Sequence, residues 1–171
     1  AANLTDALRG NSKVQGDFGE MILQTILERS NLKRGIHYSV QENIKNEEGK
    51  NLRPDVILNL PEGKRLVIDS KVSLTAHVDM VEAESPEARD EALGRLILSV
   101  RNHIKELAEK SYQDLLEGAS PDFVIMFIPG EAAFLEALNA NPALWEEAYE
   151  RKIIISSPTN IFALLKIVDD L

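Results

Sequence analysis

Arg53-Pro54-Asp55-Val56-Ile57-Leu58-Asn59-Leu60-Pro61-Glu62-Gly63-Lys64-Arg65-Leu66-Val67-Ile68-Asp69-Ser70-Lys71-Val72 reads as two strands and the turn between them. The runs Asp55 to Leu60 and Arg65 to Val72 are rich in β-branched residues and flank Pro61-Glu62-Gly63. Pro at the second position of a type I turn, followed by Gly63 where a left-handed residue is wanted, describes a three-residue hairpin loop closed by a glycine bulge. Such a loop pairs Leu60 with Lys64. Counting back in antiparallel register sets Ile57 opposite Val67 and Asp55 opposite Asp69, so both carboxylates share one face. A two-residue turn would instead set Asp55 opposite Ser70 and scatter the acids.

Side chains alternate along a strand, so Asp69 and Lys71 point one way while Leu66, Ile68, Ser70 and Val72 point the other. An acid and a base two apart carry little information alone, because they can pair with each other or meet water at a strand end. The opposed acid adds information. Like charges directly across an antiparallel pair, with Cβ atoms about 5 Å apart, destabilise it unless something compensates. A divalent cation is the natural compensator, and carboxylates with waters and phosphate suit Mg²⁺ or Mn²⁺. Lys71 would then contact the attacking water or the scissile phosphate.

Outward from this hairpin, Val14, Phe18, Met21, Ile22 and Ile26 repeat at helical spacing and predict a helix over about 13–29, with Ser12 as its cap. His37 to Ile44 predicts a further strand beside the hairpin. Ser85-Pro86-Glu87 opens a long helix whose apolar stripe, Leu93, Leu96, Ile97, Val100, Ile104 and Leu107, carries it to roughly Leu116. Strands at Asp122 to Ile128 and Ile153 to Ser156 alternate with helices at Glu131 to Leu138, Pro142 to Glu150 and Thr159 to Leu171. No repeat or low-complexity linker interrupts this order. It predicts one α/β domain over residues 1–171, with helices covering a central mixed sheet and a leading order α-β-β-β-α-β.

A chain of 171 residues with 44% apolar content can bury a core without disulfides or structural metal. Cysteine is absent, which excludes thiolate zinc sites and thiol nucleophiles and suits a reducing cytoplasm. No apolar run approaches the roughly 20 residues that span a bilayer, and Ala1-Ala2-Asn3-Leu4 lacks the pattern of a signal peptide. The net charge of −9 weighs against nucleic acid at first sight. Its distribution is uneven: residues 29–71 hold nine bases against six acids, and residues 72–150 five bases against sixteen acids. Charge blocks of this kind are also common on solvated faces, so charge alone leaves both readings open.

Pro54-Asp55 followed by Asp69-Ser70-Lys71 resembles the motif of the PD-(D/E)XK nucleases, and the element order resembles their restriction-endonuclease-like αβββαβ core. Five segments carry a closer resemblance, to the RmuC family of DNA recombination proteins: Gly16-Asp17-Phe18-Gly19-Glu20, Arg53-Pro54-Asp55-Val56, Val67-Ile68-Asp69-Ser70-Lys71, Phe123-Val124-Ile125-Met126-Phe127-Ile128-Pro129-Gly130-Glu131 and Ser157-Pro158-Thr159. The match spans nearly the whole chain. It implies a Mg²⁺- or Mn²⁺-dependent deoxyribonuclease acting on DNA, with Asp55, Asp69 and Glu20 at the metal and Lys71 completing the catalytic set. It also implies a longer protein, with an N-terminal hydrophobic segment and a coiled coil that this chain lacks, tethered to a membrane and oligomeric through that coil.

Other residues carry weaker signals. Gln41 on the first strand is a candidate for phosphate or metal contact, or equally an edge-strand polar residue, and Arg53 is a candidate phosphate contact. Arg101, Lys105 and Lys110 alternate with Glu106 and Glu109, the pattern of a solvated helix. Glu131 follows a strand and suits a helix start. Trp145, with Leu144 and Tyr149, fits a core position better than a base-stacking platform. A DNA-binding scaffold that keeps the nuclease fold without cutting is the competing function. A phosphatase for small substrates is disfavoured by the lack of a glycine-rich phosphate loop.

Overall fold

The structure is a computed structural model and describes residues 11–45, 48–70, 74–110, 112 and 119–170. Helix α1 (Ser12–Arg29) starts one residue earlier than its apolar pattern suggests, and its cap is Asn11, not Ser12. The Asn11 Oδ1 accepts from the Val14 N–H at 3.0 Å, satisfying an amide that no helical carbonyl can reach.

Strand β1 (Tyr38–Val40) is shorter than the expected run to Ile44, because Gln41 takes a left-handed backbone with φ of 52° and ends it. A small hairpin follows, β2 (Ile44–Lys45) with β3 (Asn51–Leu52). Next come β4 (Val56–Asn59) and β5 (Arg65–Asp69), paired antiparallel with Ile57 opposite Val67, the expected register. The Leu60 N–H donates to the Lys64 carbonyl at 2.7 Å, so the loop has three residues. Its backbone differs from expectation: Glu62 as well as Gly63 is left-handed, with φ of 65° and 74°, so this is no type I turn. Loop length, not turn type, sets the register.

Helix α2 (Thr75–Glu82) precedes the long α3 (Pro86–Lys110), whose first turn is capped by the Ser85 hydroxyl accepting from the Ala88 N–H at 3.1 Å. Strand β6 (Ala119–Phe127), α4 (Glu131–Ala140), α5 (Ala143–Glu150), β7 (Ile153–Ser156) and α6 (Pro158–Asp169) complete the described chain. The expected continuation of α3 to Leu116 falls largely outside the described residues.

The main sheet has the order β1-β4-β5-β6-β7, antiparallel from β1 to β5 and parallel from β5 to β7. It is a mixed sheet in a three-layer α/β sandwich. On one face Ile57, Val67, Val124, Met126 and Ile155 pack under Leu96, Val100, Ile104 and Leu107 of α3 and under α4 and α5. On the other, Val56, Leu58, Leu66, Ile68, Ile125 and Phe127 pack under Leu23 and Leu27 of α1 and Ile161 and Leu165 of α6. Trp145 is 50% exposed, against expectation. Leu144 and Ala148 take the buried stripe of α5, and Trp145, one step round the helix, stacks on Tyr149 with 5.5 Å between ring centroids.

Candidate active site

Strand β5 is the point where the sheet changes from antiparallel to parallel, and Asp69 is its last residue, paired with Met126 of β6. Asp55 stands just before β4, after the buried Pro54. Its carbonyl accepts from the Gln41 N–H at 3.1 Å, which extends the β1–β4 ladder by one step. Its Oδ2 accepts from the Ser70 N–H at 2.6 Å. Asp55 and Asp69 are 6% and 1% exposed, and the charge of Asp69 acts directly on the Asp55 carboxyl. The hairpin thus brings the two acids together at the strand ends, beneath α3.

Two buried carboxyls in contact cannot both ionise cheaply. Burial, then the Asp69 charge, push Asp55 up to about 9 from 3.8, with a smaller push from Glu20. The Ser70 N–H opposes this by stabilising the charged form, but does not prevail. Asp55 is therefore protonated at neutral pH.

Glu20 lies on α1 between Phe18, which packs against the α3-side core, and Leu23, which packs into the opposite one. Its Oε2 accepts from Gln41 Nε2 at 3.1 Å, so Gln41 orients Glu20 while its own amide holds the Asp55 backbone. Among the described residues no group of three or more His, Cys, Asp or Glu is arranged to hold a metal ion, so Glu20 stands beside the acid pair and does not complete a triad with it. Arg53 is exposed, two residues before Asp55. Lys71 lies outside the described residues.

Three features escaped sequence reading. Lys110, expected in solvent, is only 23% exposed, with its Nζ 3.6 Å from Asp69 Oδ2 and 5.6 Å from the centroid of the Tyr112 ring. The stripe Val100, Ile104, Leu107 did contain a signal, since the next step of three leads to Lys110. Tyr112 is buried, and burial followed by the charges of Asp69 and Asp55 raises its hydroxyl. Gly19 lets α1 come close: a Cβ there would stand 2.7 Å from Ser70 Oγ and 3.4 Å from Pro129 Cγ. A glycine inside a helix costs about 1 kcal/mol against alanine, which is itself a hint of close packing. Glu131 opens α4, and burial pushes its carboxyl up, but hydrogen bonds from Thr159 and Ser157 outweigh that and hold it below the ordinary value.

Beside Asp69 is a cavity of about 20 Å³, the space of one water, lined by His103, Glu106, Leu107, Lys110 and Met126 as well. Asp69 is the member of the acid pair that borders this space, and one or two protein carboxylates suffice for a small hard cation when waters and phosphate complete the shell.

Fold and site together define an α/β domain that carries a buried acid pair where its mixed sheet changes direction. The family model of the RmuC family matches residues 1–171, and the chain belongs to that family. It is 44% identical over all 171 residues to a DNA recombination protein RmuC homolog of Vibrio cholerae, covering 33% of that protein. The corresponding homolog of Pseudomonas aeruginosa is 43% identical with 38% covered, and DNA recombination protein RmuC of Escherichia coli K12 is 44% identical with 36% covered. The chain thus spans about a third of the length of these relatives. Among the described residues no helix is long and apolar enough to cross a membrane.

Proposed function

We propose that this chain is the nuclease domain of a DNA recombination protein, hydrolysing phosphodiester bonds of DNA with Mg²⁺ or Mn²⁺ as cofactor, and that it is a member of the PD-(D/E)XK superfamily. The observation that carries this reading is the burial of Asp55 and Asp69 together at the ends of adjoining strands, with Asp69 beside a space of one water. Isolated acids in such a position destabilise the sheet, and a cation-dependent function gives them a role. The relatives named as DNA recombination proteins support DNA as the substrate.

In this reading Asp55 and Asp69 hold the metal, and a bound divalent ion would supply Lewis acidity and an activated water. Asp55 must give up its proton when the cation is held. Gln41 keeps Glu20 turned toward the acids, where its charge adds to the field that attracts a cation. Lys71, two residues past Asp69, stabilises charge developing on the phosphate. Arg53 and Gln41 contact the DNA backbone near the scissile bond.

The net charge of −9 favours a second reading, a scaffold that binds DNA or another recombination protein without cutting. Cleavage of single-stranded, duplex and branched DNA with each metal, by the parent, Asp69→Ala and Lys71→Ala, separates the two. The nuclease loses cleavage by about 10² or more in Lys71→Ala while DNA affinity barely changes, since a single phosphate contact is a small share of binding. A parent that binds DNA and cuts none of these substrates with either metal leaves the scaffold standing.

A further inference from the structure

Lys110 closes the described span of α3, three residues beyond Leu107 on the buried stripe, and its ammonium rests between Asp69 and the Tyr112 ring. It borders two spaces. One is the cavity against Asp69; the other is an outer groove of about 410 Å³ between α3 and the β2–β3 hairpin, lined also by Lys50, Leu52, Glu106 and Glu109. A lysine stem has four flexible carbons, so its head can exchange one space for the other without moving the helix.

We infer that Lys110 is a built-in counter-cation of the acid pair, which a divalent ion must displace from Asp69 into the outer groove, so that Lys110 sets the metal affinity of the site. This rests on the metal-site reading above. A carboxylate buried to 1% exposure requires a countercharge, and Lys110 supplies one at 3.6 Å. A divalent ion bound to the same carboxylate would meet the ammonium within a few ångströms, where like charges repel strongly in a protein interior. The two cations therefore exclude one another. Glu106 and Glu109 at the groove give the displaced ammonium a favourable place to go.

Mn²⁺ binding, followed by the spectroscopic signal of the free ion, and the melting temperature with and without Mn²⁺ test this on the parent, Lys110→Met, Lys110→Arg and Asp69→Asn. Lys110→Met is expected to bind Mn²⁺ roughly tenfold more tightly than the parent. It should melt below the parent without metal and gain more on adding Mn²⁺. Lys110→Arg should stay as weak as the parent. Should the Met variant fail to fold, Lys110→Gln, which keeps a polar tip, is judged on the same measurements. Binding by the parent that is lost in Asp69→Asn yet unchanged or weaker in Lys110→Met overturns the role of Lys110 and leaves the metal site standing. Absence of Mn²⁺ binding in both the parent and Lys110→Met sinks the metal site itself.

Discussion

Asp55 makes the stability of the metal-free protein depend on pH in a definite direction. Its carboxyl is raised to about 9 in the fold from an ordinary 3.8, so the folded state holds a proton that the unfolded chain has lost. The stabilisation is fully present below the unfolded value, shrinks as pH rises through that window and is gone above the folded value, by at most about 1.4 kcal/mol per pH unit. Asp55→Asn keeps an oxygen for the Ser70 N–H but removes the titration. Urea unfolding in a chelator at pH 5, 7 and 8.5 should show the parent weakening and the variant holding nearly level, with the variant the more stable at pH 8.5. Equal slopes would mean that the Asp55 carboxyl is not raised in the fold. The acids were legible because strand alternation and one loop length bring them together. Lys110 was not, since its partner lies far away in sequence and neighbouring glutamates explained it just as well.

Among the elements, α1 offers a comparison of two glycines three residues apart. A Cβ at Gly16 meets nothing within 4 Å, whereas one at Gly19 meets Ser70 and Pro129. Gly16→Ala should therefore stabilise by about 1 kcal/mol through helix propensity, while Gly19→Ala loses that gain to overlap and destabilises by about 1 kcal/mol or more. In a Ser70→Ala background the overlapping oxygen is gone, and thermal melts should show Gly19→Ala turning from costly to neutral or favourable. A double-mutant cycle with no coupling would show that α1 is not held against β5 at this point. Helix α2 illustrates why an element can be missed. Its buried Ala76, Val78 and Met80 repeat at every second residue, the period of a strand, and its N-cap, Leu74, makes no side-chain cap hydrogen bond. Its anchor is tertiary: the Leu74 N–H donates to Gln15 Oε1 at 3.0 Å, and Gln15 Nε2 donates to Thr75 Oγ1 at 2.6 Å. The β2–β3 hairpin has two residues a strand, too few for a periodic signal.

At the scale of the whole molecule, charge and fold divide the chain unequally. The block 29–71, nine bases against six acids, supplies β1 to β5 and the acid pair, while the strongly acidic block 72–150 supplies α2 to α5. Under the nuclease reading DNA approaches from the first block, and exposed Arg53 should count as one phosphate contact. Arg53→Ala is expected to weaken DNA binding at low salt and lower the slope of log affinity against log salt by about 0.9. An unaltered slope takes Arg53 out of the interface. The three-residue loop joining β4 to β5 also bears on how the chain acquires its shape. Ile57 and Val67 meet across a short closure, whereas β6 and β7 join only after long crossovers, so the hairpin should consolidate in the transition state before the parallel strands dock. Val67→Ala would then chiefly slow refolding and Ile155→Val chiefly hasten unfolding. Because Asp55 and Asp69 flank the open end of that nucleus, refolding without metal should slow in alkali.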